Sequence, residues 1–534
     1  MKMPYPCVLA PLLVLGASVG EVIAAITPYP RLVIDEPSKS FTLKVEGTPV
    51  DCVHTAMQVG YAHFAFTGRV RIEITASEPI ESYDLSPHRR QIAARVSGNK
   101  LIFWIDRPCK LHLRVNRLPR LFVFAESTEP TPVESDNSFR ITDFGVIDSS
   151  TEIQTEQIQR AIDQVASRHG TLVVPRGVYL SGTLRLASNL HLFLEPGVVI
   201  RGTARLEDYP AGRGGRAQLR MENAENVRIS GRGVIDNNGL AMRSQFLPDR
   251  RQGRVKMLVA LRCRDVLVED VVLRDSGVWC VHPVESERLC FRNLKVISVS
   301  RSETGPETSH NTDAFDPDNS SDVLIEDNFI SVDDDAIAVK LAGGARRDMR
   351  NIVFRNNVVW TTCSALKIGT EVFGHTVRDV RFEWNDIVHA DTGIVVQCYR
   401  GGYVDGARWV DNHFEQVGVV PNESPHRKGL DIYVNSGGKS SFGEIRNLLI
   451  ERNVFERRNS RRWMIRGAGS RHIVEGVVFK GNTIAGKKAD SAEAAQLYTD
   501  RDIRGVVFDT ARADTNASTK GREVRPRNTA IRPE

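Results

Sequence analysis

Two short stretches gather the acidic chemistry of this chain: Asn311-Thr312-Asp313, and Asp333-Asp334-Asp335 running into Ala336-Ile337-Ala338-Val339-Lys340. Carboxylates brought together without obvious basic partners repel one another, so some should hold a proton near neutral pH. One acid to protonate a leaving oxygen and one carboxylate to activate water is what glycoside hydrolysis requires. A solvated loop or a calcium site is the other reading of an Asp-rich turn. Between the stretches, Asp322 to Ile330 alternates apolar and polar residues like a strand with one buried face, placing the two acidic groups at matching ends of consecutive strands.

Those strands belong to an imperfect repeat of about 25–35 residues, each unit an alternating apolar run, an Asn or Asp turn and a second short apolar run. Val227-Arg228-Ile229-Ser230, Val266-Leu267-Val268-Glu269, Val323-Leu324-Ile325-Glu326, Ile352-Val353-Phe354-Arg355 and Val477-Val478-Phe479-Lys480 are examples. A β unit that cannot bury its face alone must stack on copies of itself, which predicts an all-β chain built around a right-handed parallel β-helix. Asn328, Asn356, Asn385, Asn453 and Asn482 read as turn residues that tolerate left-handed backbone. Ser150 to Ser167 predicts an amphipathic helix capping the N-terminal end, with Ile153, Ile158, Ala161, Ile162 and Val165 on one face and Ser149, Ser150 or Thr151 as N-cap.

The remaining chain sets the context. Its 534 residues suggest two domains, and a net charge of +5 from 71 basic and 66 acidic residues is too balanced for a nucleic-acid partner. Residues 1–25, with an apolar run from Val8 to Val19 and small residues at Ala24 and Ala25, read as a signal peptide, so the protein is expected to be secreted or periplasmic. No later segment is apolar for long enough to insert stably in a membrane. Residues 26–133 carry short β runs, among them Arg31 to Ile34, Phe41 to Val45, His63 to Phe66, Val70 to Ile74, Leu101 to Ile105 and Leu111 to Val115, which predict a small β-sandwich. Glu126 to Asp136 reads as a linker, residues 140–510 as the β-helix and 511–534 as a disordered basic tail. Once Cys7 leaves with the signal, seven cysteines remain without zinc-type or redox spacing; Cys52 and Cys109 are either a disulfide or two buried thiols. No metal or other cofactor is expected.

From about Ile141 to Val396 the chain resembles glycoside hydrolase family 28, the polygalacturonase-like enzymes. The resemblance rests on Gly231-Arg232-Gly233-Val234-Ile235-Asp236-Asn237-Asn238-Gly239, Trp279-Cys280-Val281-His282-Pro283, Asn311-Thr312-Asp313 and Asp334-Asp335-Ala336. The N-terminal segment is similar to the β-sandwich of the related family 49 dextranases. The resemblance implies a catalytic trio of Asp313, Asp334 and Asp335, with Asp334 as general acid, Asp313 and Asp335 activating water, and inversion at the anomeric centre. Asp333 stands where the family usually has Gly, as a turn residue or a participant. Asn311, Lys340, Lys367, Glu371, Gln397 and Arg400 are expected to line the substrate groove, and His282 to lie beneath it.

Two departures bear on the substrate. Where polygalacturonases carry Gly-His-Gly, this chain has Ser364; where they carry Arg-Ile-Lys to hold the galacturonate carboxylate, it has Val395-Val396-Gln397. The expectation is therefore an inverting glycoside hydrolase acting on a polysaccharide or oligosaccharide other than plain polygalacturonate. The alternatives are a dextranase-like hydrolase, a calcium-dependent polysaccharide lyase on the same scaffold, and a non-catalytic carbohydrate-binding β-helix.

Overall fold

The computed structural model describes residues 25–509 except 129–136, 247–248, 250, 300–310, 343–346, 400, 419–427, 436–442, 460, 470–472 and 501. The signal-peptide and tail expectations, most of the linker, and Arg400 lie outside the described residues. The chain divides into two compact units, residues 1–135 and 136–534. Among the described residues no helix is long and apolar enough to cross a membrane.

The first unit is a β-sandwich of a seven-stranded and a five-stranded sheet. Period-two alternation supplies its core: Phe41, Leu43 and Val45 from one strand of the smaller sheet, and Ile72, Ile74, Leu101 and Phe103 from the next two, pack with Phe64, Leu111, Leu113 and Val123 of the larger sheet. Arg31 to Ile34 is not a strand. A turn closes there through the Asp35 N–H and the Leu32 carbonyl, leaving Val33 76% exposed. Glu126 ends the strand Leu121–Glu126 and is buried, so the linker starts later than expected. Cys52 and Cys109 are both buried free thiols. They sit on strands of one sheet with two others between them, about 14 Å at the usual strand spacing and beyond disulfide reach.

The second unit is the right-handed parallel β-helix. A 14-stranded sheet forms one face and a 13-stranded sheet the second, with almost every register parallel. The third face is split into a four-stranded and a six-stranded sheet, joined only by isolated bridges through Phe315 and Asp318 to Val281, Val284, Ile337 and Lys340. Pro317 lies between the bridging residues and has no N–H to give a ladder, so the strand cannot run through. The interior is filled by stacked side chains of like position, such as Val323, Ile352 and Val380, or Ile325, Phe354 and Phe382.

The apolar alternation from Asp322 to Ile330 proves to be two strands, Ser321–Glu326 and Phe329–Val332, on different faces. The turn between them corrects the reading of the asparagines. Left-handed backbone falls on the preceding residue, Asp327, Asn356, Trp384, Asp411 or Arg452. Asn328, Asn357, Asn385, Asn412, Asn453 and Asn482 instead point inward and form a continuous ladder, the N–H and Nδ2 of each donating to the Oδ1 of the next at 2.9–3.1 Å. Of the five expected left-handed residues only Asn356 is one. The N-terminal helix is shorter than its periodicity suggests, Thr155–Ala166, because Ser149–Ile153 pairs with Gly177–Ser181 as the first rung. Gln154 takes the N-cap position, and its amide bonds the backbone of Ile147 instead of the helix.

Candidate active site

Each rung passes from the second face to the third through a turn, and in one rung that turn is Asp333-Asp334-Asp335, between the strands Phe329–Val332 and Ala338–Leu341. Asp313 lies one rung earlier, where the third face is broken, and its carbonyl accepts the Cys280 N–H while the Ala314 N–H donates to the Asp335 carbonyl. The turn and the break therefore meet, and they do so with the ammonium groups of Lys340 and Lys367. The expectation that the acids lack basic partners is corrected on this point.

Asp334 Oδ2 accepts the Asn311 N–H at 3.0 Å and its Nδ2 at 3.3 Å, and Asp334 Oδ1 accepts the Asp335 N–H at 2.9 Å. Among the described residues it makes no ion pair within 4 Å. Burial raises its carboxyl, and the charge of Asp335 raises it further. Asp335 has the same burial working against ionisation, but the Lys367 ammonium at 2.7 Å outweighs it, with Lys340 and the Ser364 side chain adding to the effect, so its carboxyl is held below the usual range. Two adjacent carboxyls are thus driven in opposite directions, as an acid and a base require. Burial, then the charge of Asp334, pushes Asp313 up to about 7 against the pull of Lys340 at 3.4 Å.

Lys340 lies among Asp313, Asp316 at 2.9 Å and Glu371 at 3.8 Å, with its Nζ 3.7 Å from the centre of the Trp279 ring. Burial opposes its charge, but Asp316 and Asp313 prevail and hold it protonated. The same indole meets Lys256 at 4.0 Å, and Lys256 Nζ is 2.7 Å from His282 Nδ1. Burial pushes Lys256 down to about 7 and holds His282 well below its usual value, with the two lysines adding to the second effect. His282 is buried and stands edge-on to Trp279, with Nε2 3.6 Å from Asp318.

Asp313, Asp334, Asp335, Asn311, Lys340, Lys367, Glu371 and His282 therefore come together. Gln397 is further along the third face, where its Oε1 accepts the Thr370 hydroxyl at 2.8 Å. Asp333 is buried beneath the turn, its N–H donating to Thr312 Oγ1 and its carbonyl accepting the Thr362 hydroxyl. His375 pairs with Asp348 at 3.7 Å in a connecting turn and does not replace the missing imidazole at Ser364. Tyr399 is on the third face, its hydroxyl 3.2 Å from that of Tyr433, whereas Trp384 is at a turn of the 14-stranded sheet.

Four residues escaped the sequence reading: Lys256, Asp316, Asp318 and Arg254, whose Nη2 donates to Asn311 Oδ1 at 2.6 Å. The spacing of Asp313, Asp316 and Asp318 around Pro317 was a visible signal for two of them. Lys256 sits within an apolar run, Val255–Leu261, and gave none.

The sequence model of Glycosyl hydrolases family 28 matches residues 166–420, a span that includes every described residue of this cluster. The chain is 27% identical over 297 residues to a probable polygalacturonase of Vitis vinifera, covering 50% of this chain and 59% of the relative. It is 26% identical over 272 residues to a probable endo-xylogalacturonan hydrolase A of Neosartorya fischeri, covering 49% and 64%. The chain thus spans about three-fifths of the length of these curated relatives. Among solved structures, Dex49A from Penicillium minioluteum superposes with a TM-score of 0.55 over 90% of this chain and 96% of that one at 11% identity, a likeness of fold alone. Through its β-helix the chain is related to the glycosyl hydrolases of family 28.

Proposed function

We propose that this protein is an exported, inverting glycoside hydrolase that cleaves a pectin-like polysaccharide at a neutral or decorated sugar. The observation that carries the reading is the opposed environment of two neighbouring carboxyls, Asp334 raised by burial and Asp335 held ionised by Lys367. Asp334, with its proton retained, delivers it to the glycosidic oxygen as the bond breaks. Asp335, already charged, takes a proton from the attacking water, and Asp313 orients that water from the adjacent rung. Lys340 and Lys367 balance part of the acidic charge and hold two of the acids in place. Asn311 fixes the Asp334 carboxyl through two hydrogen bonds, and Arg254 fixes Asn311.

The relatives' names point to pectic polymers, while Val395 and Gln397 at the place of the Arg-Ile-Lys pair argue against a free galacturonate there. Export is supported by the apolar run from Val8 to Val19. A calcium-dependent lyase fits less well. The acidic turn offers Asp334, Asp335 and Cys363 within 4.8 Å, but Lys367 already occupies Asp335 and burial keeps the Cys363 thiol protonated, a poor donor set for a hard cation.

The test is product release from xylogalacturonan, rhamnogalacturonan, arabinan, polygalacturonate and dextran, with anomeric NMR and absorbance at 235 nm. Inverted reducing ends that fall by at least about a thousandfold in Asp334→Asn are the expected result, the size typical of losing an essential acid on an unactivated leaving group. A calcium-dependent rise at 235 nm, or full activity in the Asn variant, overturns the reading.

A further inference from the structure

The β-sandwich contains a cavity of ≈ 520 Å³ on its own surface, within the size range of small-ligand sites, lined by Arg69, Arg90, Trp104, Asp106 and Arg107 with Cys109 at its floor. Three separate segments build it. Arg69 follows the strand Gly60–Phe66, Arg90 closes the 3-10 turn His88–Arg90, and Arg107 follows the strand Lys100–Ile105. On that last strand Leu101, Phe103 and Ile105 go to the core, so alternation sends Trp104 outward, where it is 46% exposed.

Neither the tryptophan nor the arginines are accounted for by folding. A lone exposed indole is unremarkable, but this one borders a concave surface lined by three arginines. None of the three makes an ion pair within 4 Å among the described residues, even with Asp106 lining the same cavity, and Arg90 Nε is buried without a hydrogen-bond partner. Gathering like charges and desolvating a donor both oppose folding. What the arrangement complements is an anion with a flat apolar face. Guanidinium forks match carboxylates bidentately, and an indole stacks on the C–H face of a pyranose.

We infer that this cavity is an accessory binding site for uronate-bearing polysaccharide, separate from the β-helix groove, with Trp104 as the stacking platform and Arg69, Arg90 and Arg107 reading the carboxylates. It would keep a polymer chain tethered to the enzyme independently of cleavage.

The test uses the full chain carrying Asp334→Asn, so that polymer is not consumed, and measures equilibrium binding to polygalacturonate, to dextran and to dextran sulfate. Adding Trp104→Ala, or Arg69→Gln with Arg107→Gln, is expected to raise the Kd for polygalacturonate at least about fivefold, with no change on dextran. All three side chains are at the surface, and thermal melts matching the parent establish that the variants fold. The inference is overturned by an unchanged polygalacturonate Kd, which would place all binding in the groove. It is equally overturned if only the arginine changes weaken binding, or if dextran sulfate binding falls in step, since either identifies a nonspecific basic patch. These readouts are independent of turnover, so a failed hydrolase assignment leaves them interpretable.

Discussion

At the scale of single residues the decisive contrast is between Asp334 and Asp335, adjacent in sequence and opposite in proton affinity. The difference comes from Lys367, whose Nζ contacts Asp335 at 2.7 Å. Replacing Lys367 with Met removes the influence that holds Asp335 down and leaves the burial that raises it. The acid limb of the pH–activity profile should therefore move to higher pH, and activity at the optimum should fall by about 10- to 100-fold, read from initial rates between pH 3 and 9. On the alkaline side, activity of the unmodified enzyme should decline as pH rises through about 7, where Asp313 gives up its proton and the charge state of the acidic cluster changes. The carboxylates of this trio could be named from the sequence because Asn-Thr-Asp and Asp-Asp are local patterns. The roles of the three came only from the family resemblance, and the opposite proton affinities of Asp334 and Asp335 were not legible at all, since they depend on a lysine 32 residues from Asp335.

At the scale of elements, the asparagine ladder is what registers the rungs. Asn357 accepts the N–H and Nδ2 of Asn328 at 2.9 Å, and its own Nδ2 donates to Asn385 and to the Ile325 carbonyl. Asn357→Ala leaves several buried backbone and amide groups unpaired and should cost about 2–4 kcal/mol. Asn356→Ala, one residue earlier, loses only the residue type best suited to left-handed backbone and should cost about 1 kcal/mol. Chemical denaturation of both variants checks the contrast. An equal cost would mean that the turn conformation, not the ladder, carries the stability. Sequence made the turn visible and misplaced its function by one residue, because inward and left-handed positions are neighbours and both favour Asn.

For the whole molecule, the acidic seam of the β-helix makes stability depend on pH. Burial raises Asp318 to about 7, partly offset by the Ala342 N–H. Below the ordinary carboxylate range both folded and unfolded forms hold this proton. Between there and about pH 7 only the folded form does, so this residue's contribution to stability falls as pH rises and levels off above 7. Asp318→Asn removes that dependence. The melting temperature of the variant relative to the parent should climb from pH 4 to pH 7 and then stay level; a difference constant across that range would mean Asp318 is ionised throughout in the fold. The β-sandwich has its own core and is untouched by this change.

The sequence by itself determined the all-β class and the repeat, because period-two alternation, turn chemistry and short motifs are all read within a few residues, and its resemblance to family 28 pointed to the acidic trio. Tertiary structure decided everything that depends on contacts between rungs. It broke the third face at Pro317, brought Lys340 and Lys367 onto Asp313 and Asp335, and set Lys256 and Lys340 on the Trp279 ring. It also gathered three arginines from separate turns around Trp104. The physical reason is common to all of these: Coulomb and desolvation energies depend on spatial neighbours, and in a β-helix the nearest neighbour of a side chain lies about one full turn away along the chain.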